Sequence, residues 1–412
     1  MIIRRLQQPI SELALAAGKM AFISGPRQCG KTTLSRMIAP EHERWTYYNW
    51  DESEFRRLWA TAPSLTVDRA MGAMGLPAGH RPLIIYDEIH KARLWKRTLK
   101  GIYDTLSAPV DIIVTGSARL NIYRRGSDSL QGRYYLFRLS PFTLGEFTGS
   151  PGLLPDALSE ALIMRHPPAK AESSAMADML RFGGFPEPLL SASERKARLW
   201  RRTHVERIVR EDLRDLSRLP ELSQIQTLTS LLSHCTGSLF SRASLARDLE
   251  VAYDTIKRWT TYLGELYYMF EVRPFSRHIR RSLRKETKAY LWDYAEIADP
   301  AQRFENMVAC HLLSACQYWT DTGEGTFELY YLRDKQKREI DFLIVRDGKP
   351  FLPVEAKMAE AAPSPAFASF GPQIGCLVGL QIVAAADHWR QHTFPTGNVL
   401  VASADRVLPL LP

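Results

Sequence analysis

ISGPRQCGKTT, residues 23–33, fits the pattern GxxxxGK(S/T) at every fixed position: Gly25, Gly30, Lys31 and Thr32. In such a loop the glycines let backbone N–H groups turn toward phosphate oxygens, and the next helix presents its positive N-terminal end. The lysine reaches the β and γ phosphates, and the threonine hydroxyl is a ligand of Mg²⁺. The stretch therefore predicts a nucleotide-binding α/β domain.

The residues around this loop have the order that the chemistry needs. MAFIS, residues 20–24, is typical of a buried parallel strand, and TLSRMI, residues 33–38, of a first helix. LIIYDE, residues 83–88, is an apolar strand that ends in two carboxylates, as in a Walker B motif. We expect Asp87 to hold Mg²⁺ through water and Glu88 to polarise the attacking water. The alternative is a glycine turn and a solvated strand end, but the two motifs in order favour nucleotide binding.

A third strand supplies a candidate sensor. DIIVTGS, residues 111–117, is predicted as a strand beside the Walker B strand, so that Thr115 or Ser117 could contact the γ phosphate. A hydroxyl that satisfies its own turn is the alternative. ATP and Mg²⁺ are the expected ligands, with Lys31 and Glu88 in catalytic roles. The residues predicted to contact them are Gly25, Pro26, Arg27, Gln28, Cys29, Gly30, Lys31, Thr32, Thr33, Asp87, Thr115 and Ser117.

Residues 121–147 combine a basic turn, a Gly-Arg pair and an alternating strand. A guanidinium from a neighbouring subunit can stabilise the charge that spreads over the γ-phosphate oxygens during phosphoryl transfer. Arg133 is the preferred candidate for this catalytic role, with Arg124 and Arg125 as rivals, and a solvated surface role is the alternative for each. An arginine that acts in trans implies a homo-oligomer, for which a hexamer is one arrangement.

Composition limits the class of protein. With 412 residues, 45% of them hydrophobic, the chain is long enough for two to four domains. A net charge of +9 favours a polyanionic partner, although solubility or nucleotide binding also explains part of it. The five cysteines have no paired spacing, which argues against a disulfide framework or a zinc site. No apolar run in the sequence approaches a membrane span, so we expect a cytoplasmic protein without a membrane partner.

Six motifs together carry a family resemblance: GPRQCGKTT, YDEIH, VTGSARL, SLQGR, LSPFTLGEF and GGFPEPLL. They resemble the bacterial and archaeal family of AAA-superfamily ATPases that carry a C-terminal domain of formerly unknown function. The resemblance covers nearly the whole chain. It implies an α/β ATPase core, a winged helix of the DNA-binding type and a terminal domain similar to restriction endonucleases.

Stretches that contain proline and glycine, together with changes in the sequence pattern, predict four segments along the chain. The ATPase core would span residues 1–150, beginning with an amphipathic helix, and a helical lid or linker would span residues 151–225. A winged helix would follow at residues 226–290 and the nuclease-like domain at residues 291–412.

The segment from Ser241 predicts helix, tight turn, helix and strand, which is the helix-turn-helix order. The second helix would present its first residues to DNA, and the basic stretch of residues 273–288 would form a wing that contacts phosphates. A winged helix that packs against protein is the alternative. The candidate DNA contacts are Tyr253, Thr255, Lys257, Arg258, Arg277, Arg280 and Arg281, with Asp254 beside them.

The last segment predicts a β-hairpin with an acidic site. IDFLIV and FLPVEAK, residues 340–345 and 351–357, flank the turn RDGK, and the spacing in EAK puts Glu355 and Lys357 on one face. With Asp341 opposite and Glu305 on a preceding helix, this looks like the metal site of restriction-type nucleases. There the carboxylates hold Mg²⁺ and the lysine orients or deprotonates water. An exposed polar hairpin or an inactive DNA clamp is the alternative, and His311 is expected to be packed.

The sequence thus favours an ATP-dependent oligomer that acts on DNA in repair, recombination or defence, with a nuclease-like domain that does or does not cleave. The alternative is a nucleotide-gated switch that recognises DNA or protein and cuts nothing. An ATPase that remodels protein is a third reading.

Overall fold

The computed structural model describes residues 2–72, 80–116, 130–164, 173–213, 221–276, 286–359, 362–376, 378–394 and 397–412. These residues form two compact units, one of residues 3–140 and one of residues 141–412 together with Ile2. The sequence places the end of the first segment at residue 150 instead. The difference arises because the chain after Ser140 bonds to the second unit: Phe142 donates to the carbonyl of Gly184 at 2.8 Å.

The first unit is built on a five-stranded parallel sheet in the order β2-β3-β4-β1-β5. Strands β1, β3 and β4 are buried along their whole length, as expected for central parallel strands covered on both faces. The strands are β1 (Met20–Ser24), β2 (Trp45–Asn49), β3 (Leu83–Asp87), β4 (Asp111–Gly116) and β5 (Tyr134–Arg138). The strands predicted within residues 20–24, 83–88 and 111–117 are therefore confirmed as β1, β3 and β4.

Helices cover this sheet and complete a core rich in aromatic rings. Phe22 stacks on Tyr134 with ring centroids 4.2 Å apart, and Trp59 meets Tyr86 edge to face. The N-terminal segment is helical over Gln7–Pro9 and continues as a π-helix over Ile10–Leu15. The remaining helices are α1 (Lys31–Ile38), α2 (Ser53–Thr61), α3 (Leu65–Met71) and α4 (Trp95–Asp104).

The second unit begins with helices and continues as helix, short strand, two helices and a strand pair. Ser241 caps the helix that follows it, because its side chain accepts from the backbone N–H of Ser244. The helices are α5 (Leu144–Thr148), α6 (Pro155–Ile163), α7 (Ser173–Phe182), α8 (Pro186–Ser191), α9 (Glu194–Arg207, extended as a π-helix over Ile208–Asp212), α10 (Leu222–Leu232), α11 (Arg242–Asp248) and α12 (Tyr253–Glu265). The strands are β6 (Leu239–Phe240), β7 (Met269–Pro274) and β8 (Thr287–Leu291).

A mixed nine-stranded sheet in the order β13-β14-β12-β11-β10-β9-β7-β8-β6 runs through the second unit. β7 pairs in parallel with β9, so the strands of residues 239–291 and those of residues 327–403 belong to one sheet. The later elements are α13 (Pro300–Asp321), β9 (Phe327–Arg333), β10 (Glu339–Arg346), β11 (Lys349–Lys357), α14 (Pro365–Ile374), β12 (Val378–Val383), β13 (Trp389–Phe394), β14 (Gly397–Ser403) and α15 (Ala404–Val407). Across the described parts of both units, we find no helix with the length and apolarity needed to span a bilayer.

Candidate functional site

The glycines of the phosphate loop have backbone conformations that other residues rarely adopt. β1 ends at Ser24, and α1 begins at Lys31. Gly25 has φ of 155° and Gly30 has φ of 100°. A Cβ atom on Gly25 would lie 2.1 Å from the carbonyl oxygen of Leu139, far inside van der Waals contact. The loop therefore needs glycine at position 25 for space as well as for conformation.

The Lys31 ammonium lies inside the loop. Its Nζ donates to the carbonyl oxygens of Gly25 at 3.1 Å and of Pro26 at 2.6 Å, and the side chain is buried. The loop backbone thus holds the positive charge beside the amides at the start of α1. A phosphate oxygen that binds here would take over these hydrogen bonds.

The other predicted loop residues differ in their exposure. Pro26 and Cys29 are buried, Arg27 is half-buried, and Gln28 and Thr33 are exposed. The Sγ of Cys29 contacts the carbonyl oxygen of Leu139 at 3.4 Å. Only some side chains of the motif therefore face inward, and Cys29 helps to pack the loop against the chain that follows β5.

Asp87 lies at the centre of a group of hydroxyls. Thr32 Oγ1 donates to Asp87 Oδ2 at 2.8 Å, and the hydroxyl of Thr115 donates to Oδ1. These residues come from α1, β3 and β4, and the structure brings them together as the sequence predicts. Ser117, the alternative sensor, lies outside the described residues.

These groups fit a magnesium ion that is shared with a nucleotide. Mg²⁺ prefers hard oxygen ligands and in nucleotide sites uses one or two protein groups besides phosphate oxygens and water. Thr32 and Asp87 supply a hydroxyl and a carboxylate that are already in contact. Within the residues that the structure describes, no group of three His, Cys, Asp or Glu residues is arranged to hold a metal. The fit therefore depends on the phosphates as further ligands.

Tyr47 is a member of this site that the sequence analysis missed. Its phenol donates to Asp87 Oδ2 at 2.5 Å, and the Arg36 guanidinium lies 4.4 Å from the centre of its ring. Burial, reinforced by the hydrogen bond to the Asp87 carboxylate, raises the pKa of Tyr47. The phenol is thus a proton donor at any ordinary pH. The aromatic residues and threonine of residues 45–51 predict a strand. The face that meets Asp87, however, depends on the pairing of β2 with β3.

Glu88 follows Asp87 in a left-handed backbone conformation, with φ of 57°. Its Oε2 lies 3.6 Å from His90 Nε2 and 3.7 Å from Lys91 Nζ. Burial raises the pKa of Glu88, and the charges of Lys31 and Lys91 oppose that rise. A carboxylate with a raised pKa beside a bound triphosphate suits a proton acceptor.

Arg133 is engaged within its own unit. Its Nε and Nη2 donate to the Asp104 carboxylate at 2.6 and 3.0 Å. Its carbonyl accepts from Met20, at the beginning of β1, whereas the phosphate loop follows the end of that strand. Arg133 therefore lies near the N-terminal ends of the parallel strands, whereas the phosphate loop of the same chain lies at their C-terminal ends. Arg124 and Arg125 lie outside the described residues.

Arg4 is a second residue that the sequence analysis missed. The residue is 3% exposed. Its Nη1 donates to the carbonyl of Cys29 at 2.9 Å, and its Nη2 donates to that of Ser140 at 2.5 Å. The N-terminal segment thus supplies a guanidinium that ties the phosphate loop to the last residue of the first unit.

The family comparison agrees with this geometry. Residues 17–148 match the family described as AAA domain. Residues 17–148 therefore form an AAA domain. With its loop, Asp87 and Glu88 in place, this domain is a P-loop ATPase, so nucleotide binding and hydrolysis are activities of the chain.

Two later segments match families that are described only as domains of unknown function. Residues 173–297 match a domain of unknown function, DUF8612, and residues 302–376 match another, DUF4143. The uncharacterized protein Rv2008c of Mycobacterium tuberculosis is 25% identical over 409 residues, which cover 96% of this chain and 82% of that protein.

Two solved structures are similar at low identity. One is the Walker-type ATPase PABY2304 of Pyrococcus abyssi, with a TM-score of 0.43 and 14% identity, covering 74% of this chain and 95% of that one. The other is the Aeropyrum pernix ORC1 protein in complex with DNA, with a TM-score of 0.31 and 14% identity, covering 75% of this chain and 93% of that one.

The second unit brings the predicted acidic residues together. Glu305 lies on α13, Asp341 on β10, and Glu355 and Lys357 on β11. Glu355 Oε2 accepts from the Asp341 N–H at 3.1 Å, and Lys357 Nζ lies 2.7 Å from Glu355 Oε1. Burial and the charge of Asp341 raise the pKa of Glu355 to about 7.

Lys288 joins this cluster, although the sequence analysis counted it in the basic wing. The residue is buried on β8, and its Nζ lies 3.4 Å from Glu305 Oε1 and 3.3 Å from Asp341 Oδ1. Its burial is not evident from the sequence, because a lysine beside other charged residues usually lies at the surface. Lys288 is therefore a core residue and does not belong to an exposed wing.

The candidate DNA contacts on α12 lie at the surface. Tyr253 is 51% exposed, and Lys257 and Arg258 are exposed one turn later, while Thr255 is half-buried. Arg277, Arg280 and Arg281 lie outside the described residues.

His311 is buried in the second unit, in agreement with the expectation that it is packed. Its Nε2 accepts from the Leu144 N–H at 2.9 Å, and its Nδ1 contacts the Met307 carbonyl at 2.8 Å. The imidazole thus serves the start of α5.

Proposed function

We propose that the chain uses ATP hydrolysis to act on DNA, as a homo-oligomer, in repair, recombination or defence. The observation that carries the proposal is the exposed face at the start of α12. There Tyr253, Lys257 and Arg258 project from the second helix of a helix-turn-helix order that a strand pair follows. We interpret residues 226–290 as a winged helix on this basis.

The hydrolytic step is proposed to use the groups around Asp87. The Lys31 ammonium would leave the loop carbonyl oxygens and bind the β and γ phosphates. Thr32 and Asp87 would hold Mg²⁺, which neutralises phosphate charge when it is bound. Glu88 polarises the attacking water, and its raised pKa favours proton acceptance. Thr115 reports on the γ phosphate through Asp87, to which its hydroxyl donates.

Arg133 is proposed to act on the nucleotide of a neighbouring subunit. Its position at the far edge of its own sheet supports action in trans, because the phosphate loop of the same chain lies at the other edge. In this arrangement the guanidinium leaves Asp104 and stabilises charge on the γ phosphate. Mass measurement with a slowly hydrolysed ATP analogue, with and without DNA, tests the assembly.

The decisive experiment compares ATP hydrolysis with and without DNA in three proteins. We expect DNA to stimulate the wild type, and Arg258→Glu to lose most of that stimulation while its rate without DNA is unchanged. Arg57→Glu, which makes the same charge change at an exposed site in the first unit, should behave as the wild type. Failure of DNA to stimulate the wild type would refute DNA action and favour an ATPase that remodels protein.

A second candidate is a nucleotide-gated switch whose nuclease-like domain recognises DNA or a protein and does not cleave. The specific observation in its favour is that Asp341 and Glu355 already have protein donors on their oxygens. A plasmid-nicking assay with Mg²⁺ or Mn²⁺ separates the two candidates, with Asp341→Ala and Lys357→Ala as comparisons. DNA-stimulated hydrolysis without nicking would favour the switch.

A further inference from the structure

A buried lysine lies among the acidic residues of the second unit. The Lys288 side chain is 3% exposed, and its Nζ lies 2.6 Å from Glu339 Oε1. The same ammonium lies 3.3 Å from Asp341 Oδ1 and 3.4 Å from Glu305 Oε1. A buried ammonium is stable only when charged and polar partners replace its lost hydration, and these three carboxylates do so.

The resemblance to restriction-type nucleases implies Mg²⁺ at this position, held by Asp341 and Glu355 with help from Glu305. Both oxygens of Asp341 already have partners. Asp341 Oδ1 faces Lys288, and Oδ2 accepts from the Ala356 N–H at 3.1 Å.

Both oxygens of Glu355 and one oxygen of Glu305 also have partners. Glu355 Oε1 faces Lys357, and Oε2 accepts from the Asp341 N–H. Glu305 Oε1 accepts from the Tyr290 phenol at 2.8 Å as well as contacting Lys288. Mg²⁺ demands near-ideal octahedral geometry and dehydrates reluctantly, so it competes poorly for oxygens held by internal donors. The residues present do not fit the implied metal.

Charge leads to the same conclusion. The cluster contains four carboxylates, Glu305, Glu339, Asp341 and Glu355, and three cations, Lys288, Lys357 and Arg333, the last at 2.5 Å from Glu339 Oε2. The formal charge of the cluster is therefore −1. A divalent ion bound to Asp341 and Glu305 would lie next to the Lys288 ammonium, which contacts the same two carboxylates. The positive charges of the ion and of the ammonium would repel each other strongly, because the site is poorly solvated.

We propose that Lys288 is the permanent cation of this cluster and excludes divalent metal from it. The lysine comes from β8, whereas the acids come from α13, β10 and β11. A strand that precedes the acidic segment in the sequence therefore supplies the cation that occupies the site. The nuclease-like domain then binds DNA or a protein without cleaving it. This inference rests on the second candidate function and makes it more specific, and it does not depend on ATP hydrolysis.

The test measures Mn²⁺ binding to the nucleotide-free full-length chain by electron paramagnetic resonance. Each protein is compared with its own Asp341→Asn counterpart, so that only binding at this cluster is counted. We expect no such Mn²⁺ in the wild type and a new Mn²⁺ site in Lys288→Met. The melting temperature of Lys288→Met should rise with Mn²⁺, and that of the wild type should not. Lys357→Met removes a half-exposed lysine but keeps Lys288, and should gain no site.

Two results would overturn the assignment. One is Mn²⁺ binding by the wild type that Asp341→Asn abolishes, and the other is a folded Lys288→Met that binds none. If Lys288→Met fails to fold, Lys288→Met with Glu339→Gln relieves the charge while keeping Asp341, Glu305 and Glu355, and the same comparison decides. ATP hydrolysis and its stimulation by DNA, measured on the same preparations, test the proposed function separately.

Discussion

Replacing Gly25 with alanine tests the physical basis of the nucleotide site. The new Cβ would lie 2.1 Å from the Leu139 carbonyl oxygen and 3.1 Å from its carbon. The obstacle is backbone, and it is fixed because the Leu139 N–H donates to Ser24 at 2.8 Å. The residue would also need φ of 155°, which costs about 1–3 kcal/mol in a residue other than glycine.

The clash adds to this conformational cost. Overpacking that forces backbone shifts costs about 1–3 kcal/mol, so the free energy of unfolding of the first unit should fall by about 3 kcal/mol in Gly25→Ala. For a unit of this size that corresponds to a melting temperature lower by about 10 °C. A displaced loop would also bind a fluorescent ATP analogue poorly. Thermal unfolding and a titration with the analogue measure the two effects.

Gly101 is the matched control, since it lies within α4 and a Cβ there has nothing within 4 Å. Gly101→Ala should raise the free energy of unfolding by about 0.5–1 kcal/mol through helix propensity and leave ATP hydrolysis unchanged. Wild-type stability and turnover in Gly25→Ala would refute the argument that the Leu139 carbonyl restricts this position.

Four further substitutions test the nucleotide site and the second unit. Lys31→Ala should abolish ATP hydrolysis, whereas Glu88→Gln should bind ATP without hydrolysing it. Measurements of steady-state turnover and of nucleotide binding distinguish the two variants. Normal turnover in either variant would contradict the role given to that residue. Tyr47→Phe removes a hydrogen bond to a carboxylate, so the free energy of unfolding should fall by about 1.5–3 kcal/mol and the Mg²⁺ concentration for half-maximal turnover should rise; an unchanged Mg²⁺ dependence would leave Tyr47 a structural role only. Burial and the charge of Asp293 raise the pKa of Glu296 from 4.5 to about 8. Because the pKa is higher in the folded state, the contribution of Glu296 to stability is complete below pH 4.5 and is lost as the pH rises to about 8. The free energy of unfolding of the wild type, measured by urea titration, should therefore fall across that range, and Glu296→Gln should flatten this pH dependence. The same pH dependence in both proteins would contradict burial as the cause.

Local patterns were sufficient for much of the nucleotide site. The spacing of Gly25, Gly30, Lys31 and Thr32 determines a loop that closes on itself, and strands that end in Asp87 and Thr115 meet at one edge of a parallel sheet. Each of these relations involves a short segment or two adjacent parallel strands. Such relations can be read before any long-range contact is known.

Other members of the two sites depend on contacts between distant parts of the chain. Tyr47 reaches Asp87 only because β2 pairs with β3 in one register, and a shift by one residue would turn its ring to the other face. Arg4 and Lys288 belong to residue types that are usually exposed, so burial could not be inferred from their neighbours. Their partners, Cys29 and Asp341, are supplied by segments 25 and 53 residues away.

The parallel pairing of β7 with β9 has a consequence for how the second half of the chain can be dissected. A fragment that stops at residue 290 would keep α11 and α12 but leave the outer side of β7 as a bare, hydrogen-bonding strand edge, which invites aggregation. A fragment that starts at residue 291 would lose Lys288 and leave buried acids uncompensated. Deletion studies of the second half should therefore cut near residue 140 and keep everything after it as one piece.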